Sequence, residues 1–314
     1  MLWPIFPVFA SIFYCGCDYV QNFLADFAFP RKRAGANIFM HIPGFVAAML
    51  LLVAIFGRAV FMIPLENTIG LMVAGAINVV GQALSYKALQ AGDTADVSIF
   101  SQAAPVMSLV LSLFILGESI TLLQLLGFAF IIAAAAVVIF GHGQKRRQAP
   151  TRNFIILTFA SLFFSVLSDV IFAYFLRGFT ADFTLFAQSF YFFEAGSLVF
   201  TILVLIFILP WRRAVVKTFF TGPHHKRNLV LSFTDNLMLL LGEILYKLGL
   251  IIAPVIALVA VVQKISKLFA SLFVTIFLGR AFPKFVHGRR LTRQLLLRYV
   301  FSGILAVTGI MLVG

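Results

Sequence analysis

The sequence predicts an all-α integral membrane protein: ten transmembrane helices arranged as two inverted five-helix repeats. Three observations predict it. Of the 314 residues, 62% are hydrophobic and 11% charged, with mean hydropathy +1.06, which leaves too little polar surface to cover a soluble globule of this size. The apolar residues fall into runs of about 20, long enough to cross a hydrocarbon core of about 30 Å at about 1.5 Å per residue. A version of the stretch from Tyr86 to Gly127 returns after Tyr246. Runs of helical length satisfy their own backbone hydrogen bonds, so a helical bundle is expected rather than a β-barrel, whose strands would read as alternating segments of about ten residues.

Charge and turn residues separate ten apolar segments: 3–25, 37–57, 67–88, 95–116, 121–141, 153–176, 183–209, 228–250, 254–279 and 294–313. The first lacks a basic leader and a small-residue cleavage pattern, so it reads as a retained helix rather than a signal peptide. Gly117 breaks the fourth segment from the fifth, and Pro254 opens the ninth. Pro105 is expected inside the fourth helix, where it would kink the chain and free a carbonyl. Between the seventh and eighth segments, 210–227 mixes Trp211, Val215, Val216, Phe219 and Phe220 with basic residues, the pattern of a short helix lying at headgroup level.

The repeat decides the architecture. Phe9-Ala10-Ser11-Ile12-Phe13-Tyr14 resembles Phe159-Ala160-Ser161-Leu162-Phe163-Phe164, and Asp18 matches Asp169. Asn37-Ile38-Phe39 then pairs with Gln188-Ser189-Phe190, Tyr86-Lys87 with Tyr246-Lys247, Leu116-Gly117 with Leu278-Gly279, and Gly127 with Gly303. The matches keep their order while the register drifts slowly. They divide the chain into repeats 1–145 and 150–314. With an odd number of helices in each, the second must enter the membrane from the opposite side, which places a site near the midplane between them.

The formal net charge is +13. Its basic residues gather in alternate loops: 31–33, 145–152, 212–227 and 280–293. In a membrane protein such residues set topology and meet anionic headgroups, so no nucleic-acid partner is expected. The positive-inside rule makes those loops cytoplasmic and both termini external. The partners expected are membrane lipid and a small-molecule substrate, with a proton or cation for coupling, in a monomer or homodimer.

Ionisable side chains inside the spans are costly and mark function or pairing. Asp18 and Asp169 hold equivalent places; they either face a cavity and bind a proton, cation or amine, or accept hydrogen bonds near a helix end. Glu194 lies midway along the seventh segment. Lys264 and Lys267 lie one turn apart on one face of the ninth, where they are expected to line the cavity, with Glu194 or Glu243 neutralising one of them. Asn78, Gln82, Ser98, Ser101, Gln102 and Gln263 can hydrogen-bond a ligand or join helices. Lys87 and Lys247 read as snorkelling lysines and Tyr86 and Tyr246 as aromatic-belt residues. His41 and His287 read as solitary and structural. Cys15 and Cys17 form no disulfide framework, and no cofactor, metal or catalytic motif is present in the sequence.

Tyr86-Lys87-Ala88-Leu89, Pro105, and Leu116-Gly117-Glu118 leading through Gln124 to Gly127 resemble the signature of the drug/metabolite transporter superfamily, and within it the ten-helix EamA-type transporters. The resemblance implies a central pathway lined by helices one to four and six to nine, alternating access, and no enzymatic activity. It also implies a multi-pass protein, expected in the bacterial inner membrane, that exports or exchanges a small polar or anionic metabolite. Lys264 and Lys267 stand where sugar-phosphate and nucleotide-sugar members also carry basic residues. Family members are drawn with termini inside, whereas the loop charges here place them outside. The second copy has Arg280 where the first has Glu118. A membrane-embedded lipid-phosphate carrier or enzyme using the same cationic face is the alternative.

Overall fold

A computed structural model describes residues 3–27, 31–91, 103–140, 151–176, 183–253, 256–281 and 293–313. These contain eleven α-helices and no strand. In chain order they are α1 Ile5–Phe27, α2 Ile42–Phe56, α3 Leu65–Ala91, α4 Ala104–Leu116, α5 Leu122–Phe140, α6 Arg152–Leu176, α7 Phe183–Phe207, α8 Leu209–Val216, α9 His225–Ile252, α10 Ile256–Ala281 and α11 Arg293–Val313. A 3-10 helix, Arg31–His41, leads into α2, a second, Gly57–Phe61, leaves it, and a π-helical turn, Lys217–Thr221, follows α8. Among the described residues, five stretches are long and apolar enough to cross a membrane: Ala36–Phe61, Leu65–Leu89, Arg152–Leu176, Phe183–Phe207 and His225–Ile252.

Local chemistry sets the boundaries. Gly117 ends α4 at φ 63°, ψ 28°, a left-handed cap in which the Glu118 N–H reaches back to the Ser112 carbonyl at 3.5 Å. Four residues on, Thr121 and Gln124 form a reciprocal capping box that starts α5: the Thr121 N–H donates to Gln124 Oε1 at 3.0 Å and the Gln124 N–H to Thr121 Oγ1 at 3.2 Å. The Leu-Gly-Glu to Gln pattern is therefore a stop followed by a start. Pro105 lies in the first turn of α4, not inside a helix, a position where proline costs no hydrogen bond. The interfacial stretch forms α8, with Ala214 and Val215 buried and Arg212 and Arg213 exposed. Pro254 and 95–102 lie outside the described residues.

Helix association in lipid rests on close approach and interhelical hydrogen bonds, because tails are as apolar as leucine. At the α3–α7 crossing, a Cβ on Gly75 would meet the Phe193 carbonyl, and one on Gly196 would meet the Met72 backbone. Ser197 Oγ donates to the Gly75 carbonyl at 3.1 Å across the same crossing, and Ser168 Oγ of α6 to the Ala74 carbonyl at 2.8 Å. Ser302 Oγ of α11 likewise donates to the Ala134 carbonyl of α5 at 2.7 Å. Large apolar side chains such as Leu50, Ile55, Phe114, Phe207 and Met311 point outward, as a lipid-facing surface requires.

The packing order follows an exchange. α1 packs on α9 and α3 on α6; α1 packs on α10 and α4 on α6; α5 packs on α11. Swapping α1 with α6, α3 with α9, α4 with α10 and α5 with α11 interchanges the contacts within each of the first two pairs and leaves α5–α11 as it is.

Candidate functional site

Where α1, α6, α7, α9 and α10 meet, the charges that the apolar segments carry converge. Lys267 of α10 forms an ion pair with Asp18 of α1, its Nζ 2.7 Å from Oδ2 and 2.9 Å from Oδ1. Lys247 of α9 forms one with Asp169 of α6 at 2.6 Å, and the Tyr246 hydroxyl donates to the other oxygen of Asp169 at 3.2 Å. The two pairs differ in setting. Lys247 and Asp169 are 1% and 21% exposed, whereas Lys267 and Asp18 are 25% and 47% exposed.

Lys247 is also enclosed by aromatic faces: its Nζ lies 4.6 Å from the Phe172 ring centre and 4.4 Å from that of Phe193. Those contacts stabilise an ammonium removed from water, since ring quadrupoles attract a cation most strongly when it is desolvated. Lys247 is therefore a buried partner of Asp169 and not a snorkelling residue. Tyr246 is likewise buried at the site instead of standing in an aromatic belt, and its ring meets Tyr14 edge-on at 6.2 Å. Tyr86 is also buried, while Lys87 is exposed and lies over the Trp211 ring of α8 at 5.3 Å.

Asp18 and Asp169, which match in the sequence comparison, thus take lysines that do not match each other. Asp169 takes Lys247 from its own half, and Asp18 takes Lys267 from the opposite half. Lys264, one turn before Lys267, makes no hydrogen bond or ion pair with another described residue, and it stands within electrostatic reach of Lys267, Asp18 and Asp169. The electrostatic neighbours of Glu194 are Glu243 and Lys247, so the expected neutralisation of Lys264 or Lys267 by these glutamates gives way to pairing with Asp18. Glu243 lies against the Tyr14 hydroxyl.

Among the amides, Gln263 is buried, and its backbone carbonyl accepts a 2.8 Å hydrogen bond from Ser11 of α1. Asn78 is half-buried on α3, and Gln102 lies outside the described residues, as do Ser98, Ser101 and His287. Sequence reasoning missed Asp235, a fully buried acid on α9. The signal was there: Ser232, Asp235 and Asn236 share one helical face within an apolar segment. His41 is not solitary: its Nε2 is joined to the Tyr86 hydroxyl by a 2.6 Å hydrogen bond. Cys15 and Cys17 are both buried and free.

The seam can hold a proton, a cation or a small charged solute, because it offers acids, a lysine without a carboxylate partner among the described residues, and hydroxyl groups at one junction. Among the described residues no group of histidines, cysteines and acids is arranged to hold a metal. A surface cavity of about 440 Å³ lies elsewhere, beside Arg212, Arg213 and Lys217 after α8.

A comparison with curated proteins gave no match. A solved structure titled only "Crystal structure of protein" aligns with 99% of this chain and 96% of its own, with a TM-score of 0.64 at 13% identity, a likeness of fold alone. Residues 32–140 match the EamA-like transporter family, which comprises transporters rather than enzymes. The match spans about a third of the chain, and over that stretch the chain is similar to EamA-like transporters.

Proposed function

We propose that the chain is a secondary transporter, an exporter or exchanger, that moves a small polar or anionic metabolite by alternating access between repeats 1–145 and 150–314. The observation that carries the reading is the ion-paired seam, in which Asp18 of the first repeat holds Lys267 of the second. Rocking the halves about this junction would make and break that pair, and a substrate's acidic group would replace Asp18 at Lys267 or engage Lys264. Glu194 and Gln263, with Asn78 and Gln102 from the first repeat, would complete the binding surface. Asp18 and Asp169 would take the coupling ion when their lysines turn to substrate.

The exchange of helix pairings supports ten spans in two inverted repeats, since the same contacts recur when the halves are interchanged. The loop charges support basic loops on the cytoplasmic side, with α8 at headgroup level and Arg212, Arg213 and Lys217 meeting lipid phosphate. A substrate bearing both an acid and an amine would also fit, the amine against Glu194 and Glu243.

The test is a thermal-unfolding screen of the purified protein against amino acids, sugar phosphates and nucleotides, because only a ligand that binds the folded state raises stability. An acidic compound is expected to raise the midpoint, and the Lys264→Met, Lys267→Met double variant is expected to lose the rise. A stabilisation that survives in the double variant would remove the lysines from the site.

A further inference from the structure

Beside the Lys–Asp seam, toward the end carrying α8 and the start of α9, a second polar cluster joins the two halves. Asp235, about 15 Å along α9 from its first residue at about 1.5 Å per residue, is fully buried. Its Oδ2 lies 3.6 Å from Nδ1 of His41 and accepts a 3.3 Å hydrogen bond from Gln21 of α1. Its Oδ1 has no hydrogen-bond partner, and neither has Nδ1 of His41. The His41 ring, 1% exposed, is stacked on Tyr86 at 6.1 Å. Around the pair, Ser232 Oγ and Asn236 Nδ2 donate to the Met40 carbonyl at 3.1 and 2.6 Å, and Cys17 Sγ donates to the Asp235 carbonyl at 3.5 Å.

Apart from the His41–Tyr86 bond, each of these contacts runs from the first repeat to the second. The groups that face Asp235 are Cys17, Gln21 and, at longer range, Asp18 from α1, His41 from the 3-10 helix and Tyr86 from α3. Among the described residues none of them is a lysine or arginine. A bare carboxylate in such a place is costly, and an orphaned oxygen adds to that cost. A single proton offsets the carboxylate's charge, and when it sits on His41 Nδ1 it faces Asp235 Oδ2.

We propose that His41 and Asp235 together form a proton-binding site, separate from Asp18 and Asp169, and that the proton they hold is a further ion coupled to transport. The site binds its proton while α9 lies against the 3-10 helix. Opening this end breaks the bonds to Met40, admits water to Asp235, and lets the proton leave to that water. The inference deepens the transport reading and rests on it for the coupling; the proton binding itself stands on the geometry of the pair.

Trp211 reports on the site, because Phe39, two residues before His41, meets its ring edge-on at 6.3 Å. The chain has two tryptophans, so Trp3→Phe leaves a single reporter. In liposomes, the Trp211 emission of that variant should step once between about pH 5 and 8, the range in which an imidazole–carboxylate pair titrates. Adding His41→Gln or Asp235→Asn should remove most of the step, and Glu66→Gln, at an exposed acid in the first turn of α3, should leave it in place. Thermal unfolding checks that each variant is folded, and His41→Gln decides if Asp235→Asn is not. An unchanged step in the folded variants, or no step in the parent, overturns the proposal. If the step depends on the pair but no tested solute moves, the transport reading fails alone. If a solute moves equally well in Asp235→Asn under a proton gradient, the coupling part of the proposal fails alone.

Discussion

Lys247 shows how this chain tolerates charge in an apolar interior: its ammonium donates to one carboxylate at 2.6 Å and two aromatic faces cover the rest. Removing one partner of a buried pair leaves the other uncompensated, typically at about 3–5 kcal/mol. Lys247→Met should therefore lower the thermal-unfolding midpoint sharply, with Asp169→Asn in the same chain restoring part of the loss. Lys267→Met, whose partner Asp18 is 47% exposed, should cost about 1 kcal/mol or less and leave the fold intact. Equal losses in the two variants would show that burial does not distinguish the pairs. The sequence located Asp18, Asp169, Lys264 and Lys267 because ionisable groups in apolar runs are conspicuous. It could not say which lysine meets which acid, because that depends on how α1 lies across α10 and α6 across α9. Lys247 was misread for the same reason: at a segment end, distance from the edge alone does not separate a snorkelling lysine from a buried one.

At the scale of the helices, two glycines fix how closely α3 and α7 approach. Gly196→Val places a branched side chain against the Met72 backbone, which has no flexible end to yield. The expected cost is at least the 1–3 kcal/mol or so of an overpacked core, read as loss of folded protein in detergent. Gly117→Ala meets open space and should cost only the left-handed backbone penalty, about 1–2 kcal/mol. A Gly196→Val protein as stable as Gly117→Ala would contradict the crossing. Glu118 adds a contact between halves: its Oε1 accepts the N–H of Ile256, the first residue of α10, at 3.2 Å. Glu118→Ala should cost about 1 kcal/mol, the usual value of a lost helix cap, measurable as a lower unfolding midpoint. The helices were legible from hydropathy and the Leu-Gly stop, because both are local. The 3-10 helix before α2 was not, since its polar start lacks apolar periodicity and its place is set by packing on α3 and α8.

For the molecule as a whole, polar contacts concentrate where the first half touches the second. Asp18–Lys267, Gln21–Asp235, Met40–Asn236 and Glu118–Ile256 all join 1–145 to 150–314. A static scaffold has no need of ion pairs at such a junction, whereas two bodies that rock need contacts that can be remade in another arrangement. The asymmetry of charge was also legible, since the first copy has Gln102 and Pro105 where the second has Lys264 and Lys267. Lys264 is where the account is most exposed, as the cation of the seam without a carboxylate partner among the described residues. The direct measurement is uptake into proteoliposomes of whichever labelled acidic metabolite most stabilises the purified protein, comparing the unaltered chain with Lys264→Met. The account predicts saturable uptake that falls at least tenfold in the variant while its unfolding midpoint without ligand is unchanged. Full uptake by a folded Lys264→Met protein would contradict it.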